Sequence, residues 1–123
     1  IDMDIVKFLK SFVYAFKGVG IALGQQNMRV HFLAVFVVFS AGWYFSISQT
    51  EWLAIILIVT LVLTLEMVNT AIELTIDLLH PEQHNTAGKV KDLAAGAVLI
   101  AAIAALIIAG IIFGDDLLEL FKL

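Results

Sequence analysis

Two apolar runs in this chain are too long for a small soluble domain to hide, and they commit it to lipid. One is LAIILIVTLVLTL, from Leu53 to Leu65, and the other is AAGAVLIAAIAALIIAG, from Ala94 to Gly110. Over 123 residues, 62% are hydrophobic and only 15% are charged. Mean hydropathy is +1.03. The expectation is an all-α integral membrane protein of one small domain, 1–123. It has no cysteine, which excludes a disulfide framework, a thiolate nucleophile and Cys-ligated metal. The first residue is not Met, and the opening IDMDIVKFLKSF lacks the uninterrupted apolar core of a cleavable signal peptide.

Four segments follow from the pattern. Residues 2–26 read as an amphipathic surface helix: Ile5, Phe8, Leu9, Phe12, Ala15, Phe16, Val19 and Leu23 recur at helical spacing, with Lys7, Lys10 and Lys17 mostly off that stripe. Gly18, Gly20 and Gly24 suggest a bend or a close backbone approach. A first spanning helix is expected over 30–47, with Trp43 and Tyr44 in an interfacial belt. After the short turn SISQTE, where Ser48 or Thr50 is a plausible N-cap, a second spans 51–79 and is stopped by Pro81. The loop HPEQHNTAGKVK leads to a third over 92–113, whose alanines with Gly96 and Gly110 favour close helix packing. Six of the seven Lys and Arg residues lie before the first span or between the second and third; only Lys122 lies on the other side. The N-terminus and the 80–91 loop are therefore expected to be cytoplasmic.

The second span carries an unusual face. Glu66, Asn69, Glu73 and Asp77 are offset from the first by 3, 7 and 11 residues, which at about 100° per residue puts them within roughly a third of the circumference. Carboxylates near lipid point to a paired, hydrated or metal-filled site. A structural role and an ion or proton pathway are alternatives. Against a pathway, the outer half of this span offers only Thr60 and Thr64. Phosphoryl transfer needs carboxylates for Mg²⁺, a cation for phosphate charge and a proton acceptor. Glu73 and Asp92 suit the first, Lys91 the second, and Glu66, deeper in the membrane, the third. Such a base would meet a lipid hydroxyl. No GxxxxGK[ST] sequence is present, so a P-loop is excluded. His31, His80 and His84 lack zinc-site spacing and read as surface or interfacial residues. Arg29, beside Asn27, reads as an interfacial anchor or a phosphate contact. No nucleic-acid partner is expected.

The run E-M-V-N-T-A-I-E-x-x-x-D, Glu66 to Asp77, resembles the signature of the prokaryotic diacylglycerol kinase family, which includes the small undecaprenol kinases. GKVKDLAAGAVLIAA, Gly88 to Ala102, resembles its second block; YAFKG, Tyr14 to Gly18, and NMRVH, Asn27 to His31, also fit. The resemblance covers nearly the whole chain. It implies a homotrimer in the bacterial cytoplasmic (inner) membrane, with sites between subunits on the cytoplasmic side. It further implies ATP as co-substrate, Mg²⁺ as cofactor and a membrane lipid alcohol as acceptor. By position, Glu66 resembles the catalytic base and Glu73 the metal-binding Glu. Asn69, Asp77, Lys91 and Asp92 match residues lining the nucleotide and metal site, and Lys17 and Arg29, inside the two further motifs, join them at the nucleotide.

One position departs from the family pattern. Gln25 stands where the family commonly has a second metal-binding Glu, and an amide carbonyl can coordinate Mg²⁺ but adds no negative charge. The short turn followed by E-W-L, together with K-D-L-A-A-G-A-V-L, looks more like the undecaprenol kinase branch. Undecaprenol is thus the expected acceptor, giving undecaprenyl phosphate; diacylglycerol, giving phosphatidic acid, is the runner-up. An inactive or non-enzymatic helix bundle is the remaining alternative.

Overall fold

The computed structural model describes residues 2–123 and contains four helices joined by short links: α1 Ile5–Leu23, α2 Gln26–Tyr44, α3 Gln49–Leu79 and α4 Asn85–Leu120. Local chemistry accounts for most of the boundaries. Asp4 caps α1 by accepting from the Lys7 amide at 3.1 Å. Ser48 and Glu51 form a reciprocal capping box at the start of α3. Within the turn, Ser46 takes a left-handed φ of 52° so the chain can reverse between α2 and α3. At the far end of α3, His80 leaves the helical region (φ −136°, ψ 79°), as a residue preceding proline must.

Other boundaries shift from expectation. The break after the surface helix falls at Gly24 and Gln25, so α2 begins at Gln26 rather than Val30 and ends at Tyr44 rather than Ile47. Helix α4 begins at Asn85 rather than Asp92 and ends at Leu120 rather than Phe113. The reason is local: His84 Nδ1 accepts from the Ala87 amide at 3.3 Å and caps the helix well before its apolar run starts. Hydropathy locates lipid, whereas capping locates the helix end.

Helix α3 lies at the centre. It packs along α4 over the longest contact, then against α2, while α1 makes smaller contacts with α2 and α3. The core is thin: Met28, Ile55, Ile58, Val62, Val98, Ala101 and Phe113 are buried. The glycines expected to mediate close approach do not do so within the chain, since a Cβ at Gly18, Gly20, Gly96 or Gly110 would meet nothing. The close approach occurs instead at Gly42, where a Cβ would stand 2.7 Å from the Trp52 ring. Trp52 also packs edge-on to Phe39, with centroids 5.5 Å apart, locking the α2–α3 hairpin.

Large side chains otherwise point outward. Leu106 is 73% exposed and Ile111 78%. That surface is stable only in lipid or against further helices. Helices α3 and α4 are long and apolar enough to cross a membrane. Helix α2, with Gln26, Asn27, Arg29 and His31 in its first turns, does not meet the same measure.

A polar pocket beside an apolar groove

The polar face of α3 grades from buried to exposed along its length. Glu66 is 3% exposed and Asn69 4%; Glu73 is half-buried and Asp77 exposed. Ionised carboxylates are costly to bury, on the order of several kcal/mol each, unless something compensates. Two contacts address that cost. From α2, His31 places Nε2 3.5 Å from Glu66 Oε2. One turn beyond Glu66, Asn69 Nδ2 donates to Glu73 Oε1 at 3.0 Å. Because a carboxylate only accepts, this bond fixes which way the amide faces and leaves Asn69 Oδ1 buried without a partner among the described residues.

Glu66 and Glu73 share a polar pocket of about 220 Å³ with Thr70 and with Gln25, Gln26 and Asn27 at the start of α2. Gln25 is the N-cap residue of α2, yet its side chain makes no capping bond. The pocket thus lies against the positive end of a helix, which favours an anion. Beyond His31 lies a second cavity, of about 240 Å³, walled by Ala34, Val35 and Val38 of α2, Val59 and Val62 of α3, and Ala102, Ala105, Leu106 and Ala109 of α4. It exists because alanines at helical spacing on α4 face small and β-branched side chains across the gap. The His31–Glu66 pair stands where the polar pocket and the apolar groove meet.

The structure therefore brings together Gln25, Glu66 and Glu73, with Asn69 joined through Glu73. It does not bring every expected residue to them. Lys91 pairs with Asp77 across the α3–α4 connection. Asp92 is exposed and does not line the pocket. Lys17 is exposed on α1 with its ammonium 5.6 Å from the Tyr14 ring centre, and Arg29 Nη2 donates to the Gly24 carbonyl at 3.4 Å.

The N-terminal half of α3 offers no polar track: Thr64 Oγ1 donates back to the Thr60 carbonyl at 2.8 Å. The sequence reading did not place Gln26, Asn27, Thr70 or His31 at the site. Thr70 lies on the same α3 face as Glu66, one turn later. His31, read as a surface or interfacial residue, instead faces a buried carboxylate; its spacing of four from Asn27 was the available signal.

The donor set suits a hard cation. Glu73 supplies a carboxylate and Gln25 an amide carbonyl, and Asn69 holds the Glu73 carboxylate through its Nδ2. Mg²⁺ takes oxygen ligands, keeps several waters and is held by one or two carboxylates plus phosphate. Among the described residues no three acidic or histidine side chains converge to form a cage, as a site shared with a nucleotide would not require.

A family model described as prokaryotic diacylglycerol kinase matches residues 13–113. The chain is 38% identical over 111 residues to undecaprenol kinase of Bacillus subtilis, covering 89% of this chain and 90% of that protein. It is 39% identical over 114 residues to diacylglycerol kinase of Synechocystis, covering 91% of this chain and 65% of that one. With diacylglycerol kinase of Escherichia coli K12 it shares 30% over 102 residues, 82% and 84% of the two chains.

Proposed function

The chain belongs to the prokaryotic diacylglycerol kinase family and is a lipid kinase of the membrane, and from that premise we propose that it transfers the γ-phosphoryl group of ATP to the hydroxyl of undecaprenol. The observation that carries this reading is the position of Glu66, buried between a polar pocket and an apolar groove. Depth supports it. With Trp52 at the outer edge, a hydrocarbon core of about 30 Å is used up near Ile72, which leaves Glu66 about 9 Å inside it. A base at that depth meets the head of a lipid whose tail lies in the groove.

In the reaction the lipid O–H bond breaks and its proton passes to Glu66. The lipid oxygen bonds to the γ-phosphorus, the bond from that phosphorus to the β-phosphate bridge breaks, and ADP leaves. Glu73 and Gln25 would hold Mg²⁺, which supplies charge neutralisation at the phosphates. Asn69 orients the Glu73 carboxylate. Lys91, with Asp77, Asp92, Lys17 and Arg29, forms the nucleotide side. Lys17, Arg29 and Asp92 stand outside the pocket of a single chain, which supports a homotrimer whose neighbouring copies complete each site. The exposed aromatic face of α2 (Phe36 at 70%, Trp43 at 83%) is available for such packing or for lipid. In this reading α2 is the third spanning helix, and the basic N-terminal region and the 80–91 segment face the cytoplasm, where ATP is found.

Undecaprenol is favoured by the match to the Bacillus undecaprenol kinase, which extends over nearly all of both chains. The Synechocystis relative, at 39% identity, supports diacylglycerol as the second reading. Labelled ATP and Mg²⁺ supplied to the protein in bilayers containing both lipids in competition tests the assignment. Labelled undecaprenyl phosphate in excess is expected. Phosphatidic acid as the main product would transfer the assignment to diacylglycerol, and no labelled lipid would overturn the kinase reading. Crosslinking in bilayers is expected to stop at the trimer.

A further inference from the structure

Glu66 reaches its place by burial, but burial alone does not aim a carboxylate. Its side chain is 4% exposed, and among the described residues the one basic side chain within 4.0 Å of its carboxylate is His31, with Nε2 3.5 Å from Oε2. His31 comes from a different helix and is 22% exposed, at the inner end of the apolar groove. The contact is longer than a formed hydrogen bond, and since a carboxylate only accepts, closing it requires a hydrogen on Nε2. Asn27, one turn earlier on α2, lines the polar pocket, while Ala34, Val35 and Val38, further along the same face, line the groove. His31 is thus the point on α2 where lining changes from polar to apolar, and it meets α3 where the same change occurs, between Thr70 and Val62.

We propose that His31 is a positioning residue for the lipid phosphorylation described above. Its Nε2–H holds Glu66 Oε2, which turns the other carboxylate oxygen toward the mouth of the groove, where the lipid hydroxyl arrives. The inference rests on the kinase reading and deepens it. Pre-aimed groups of this kind raise turnover because no reorientation is needed as the proton moves.

His31→Ala is expected to lower kcat for lipid phosphorylation by about 10- to 100-fold, the scale of a misplaced catalytic group. KM for ATP and the Mg²⁺ concentration for half activity are expected to stay as in the wild type, because Glu73 and Gln25 are untouched. His31→Gln, which keeps an N–H donor, is expected to recover much of the lost kcat. A purely structural role predicts no such rescue and no split between kcat and KM. Nitrogen NMR of labelled histidine in the wild type gives a readout apart from turnover. Glu66→Gln is expected to move the His31 Nε2 resonance, identified by its loss in His31→Ala, and to leave His80 and His84 in place. Wild-type kcat in His31→Ala, or a His31 resonance indifferent to Glu66→Gln, would overturn the proposal while the kinase reading stood. No labelled lipid from the wild-type protein would overturn that reading, and the inference with it.

Discussion

Asn69 and Glu73, one turn apart on α3, are joined by a 3.0 Å hydrogen bond that leaves the Asn69 carbonyl oxygen buried and unpartnered. Leaving such a group unmatched costs about 1–3 kcal/mol. The cost is consistent with an oxygen kept for a ligand, and the same bond holds Glu73 where a cation can share it.

Replacing Glu73 by Ala leaves Glu66 as the one carboxylate lining the pocket among the described residues. Mg²⁺-dependent phosphorylation is expected to be lost, with helix content by circular dichroism unchanged. A Mg²⁺ titration that matches the wild type would remove Glu73 from the metal site.

Gln25 lines the pocket without serving its helix as a side-chain cap. Gln25→Glu adds one negative charge, which both faces the cation and sits at the positive end of α2. Both effects favour the variant, so the Mg²⁺ concentration for half activity is expected to fall by about tenfold, equivalent to about 1.4 kcal/mol. An unchanged value would show that Gln25 does not touch the metal.

The groove is open because its α4 wall is built of alanines. Ala105→Phe places a ring in the space assigned to the lipid tail. KM for the lipid is expected to rise severalfold, with KM for ATP unchanged. Steady-state kinetics with each substrate varied in turn checks this; a rise in both would mean that the whole site had shifted.

Gly42→Ala tests the α2–α3 hairpin. The new methyl would meet the Trp52 ring at 2.7 Å, and Trp52 is itself held against Phe39. Overpacking of this kind costs about 1–3 kcal/mol. A lower Tm in detergent is expected, while Gly96→Ala, with open space around it, leaves Tm near the wild-type value in the monomer. Equal effects at the two positions would place the close contact elsewhere.

Much of the fold was legible in local sequence. The 3.6-residue period of α1, an N-cap at Ser48 or Thr50, the stop at Pro81 and the polar face of α3 depend on residues within a few positions of one another, and backbone geometry relates such residues directly. The motif from Glu66 to Asp77 also identified the family before any coordinates. Helix α4 starts at Asn85, ahead of the expected span, because an apolar run marks lipid, while a His84 cap marks the helix.

What tertiary structure alone decided is how the helices are rotated and how deep they lie against one another. That registry turned His31 from an interfacial residue into the neighbour of Glu66, put Gln25 in the pocket of Glu73, and left Lys17, Arg29 and Asp92 outside it. It also opened the groove, since a row of alanines becomes a cavity only when the facing helices bring small side chains opposite. Periodicity places a residue on one face of its own helix; only packing between helices determines what that face meets.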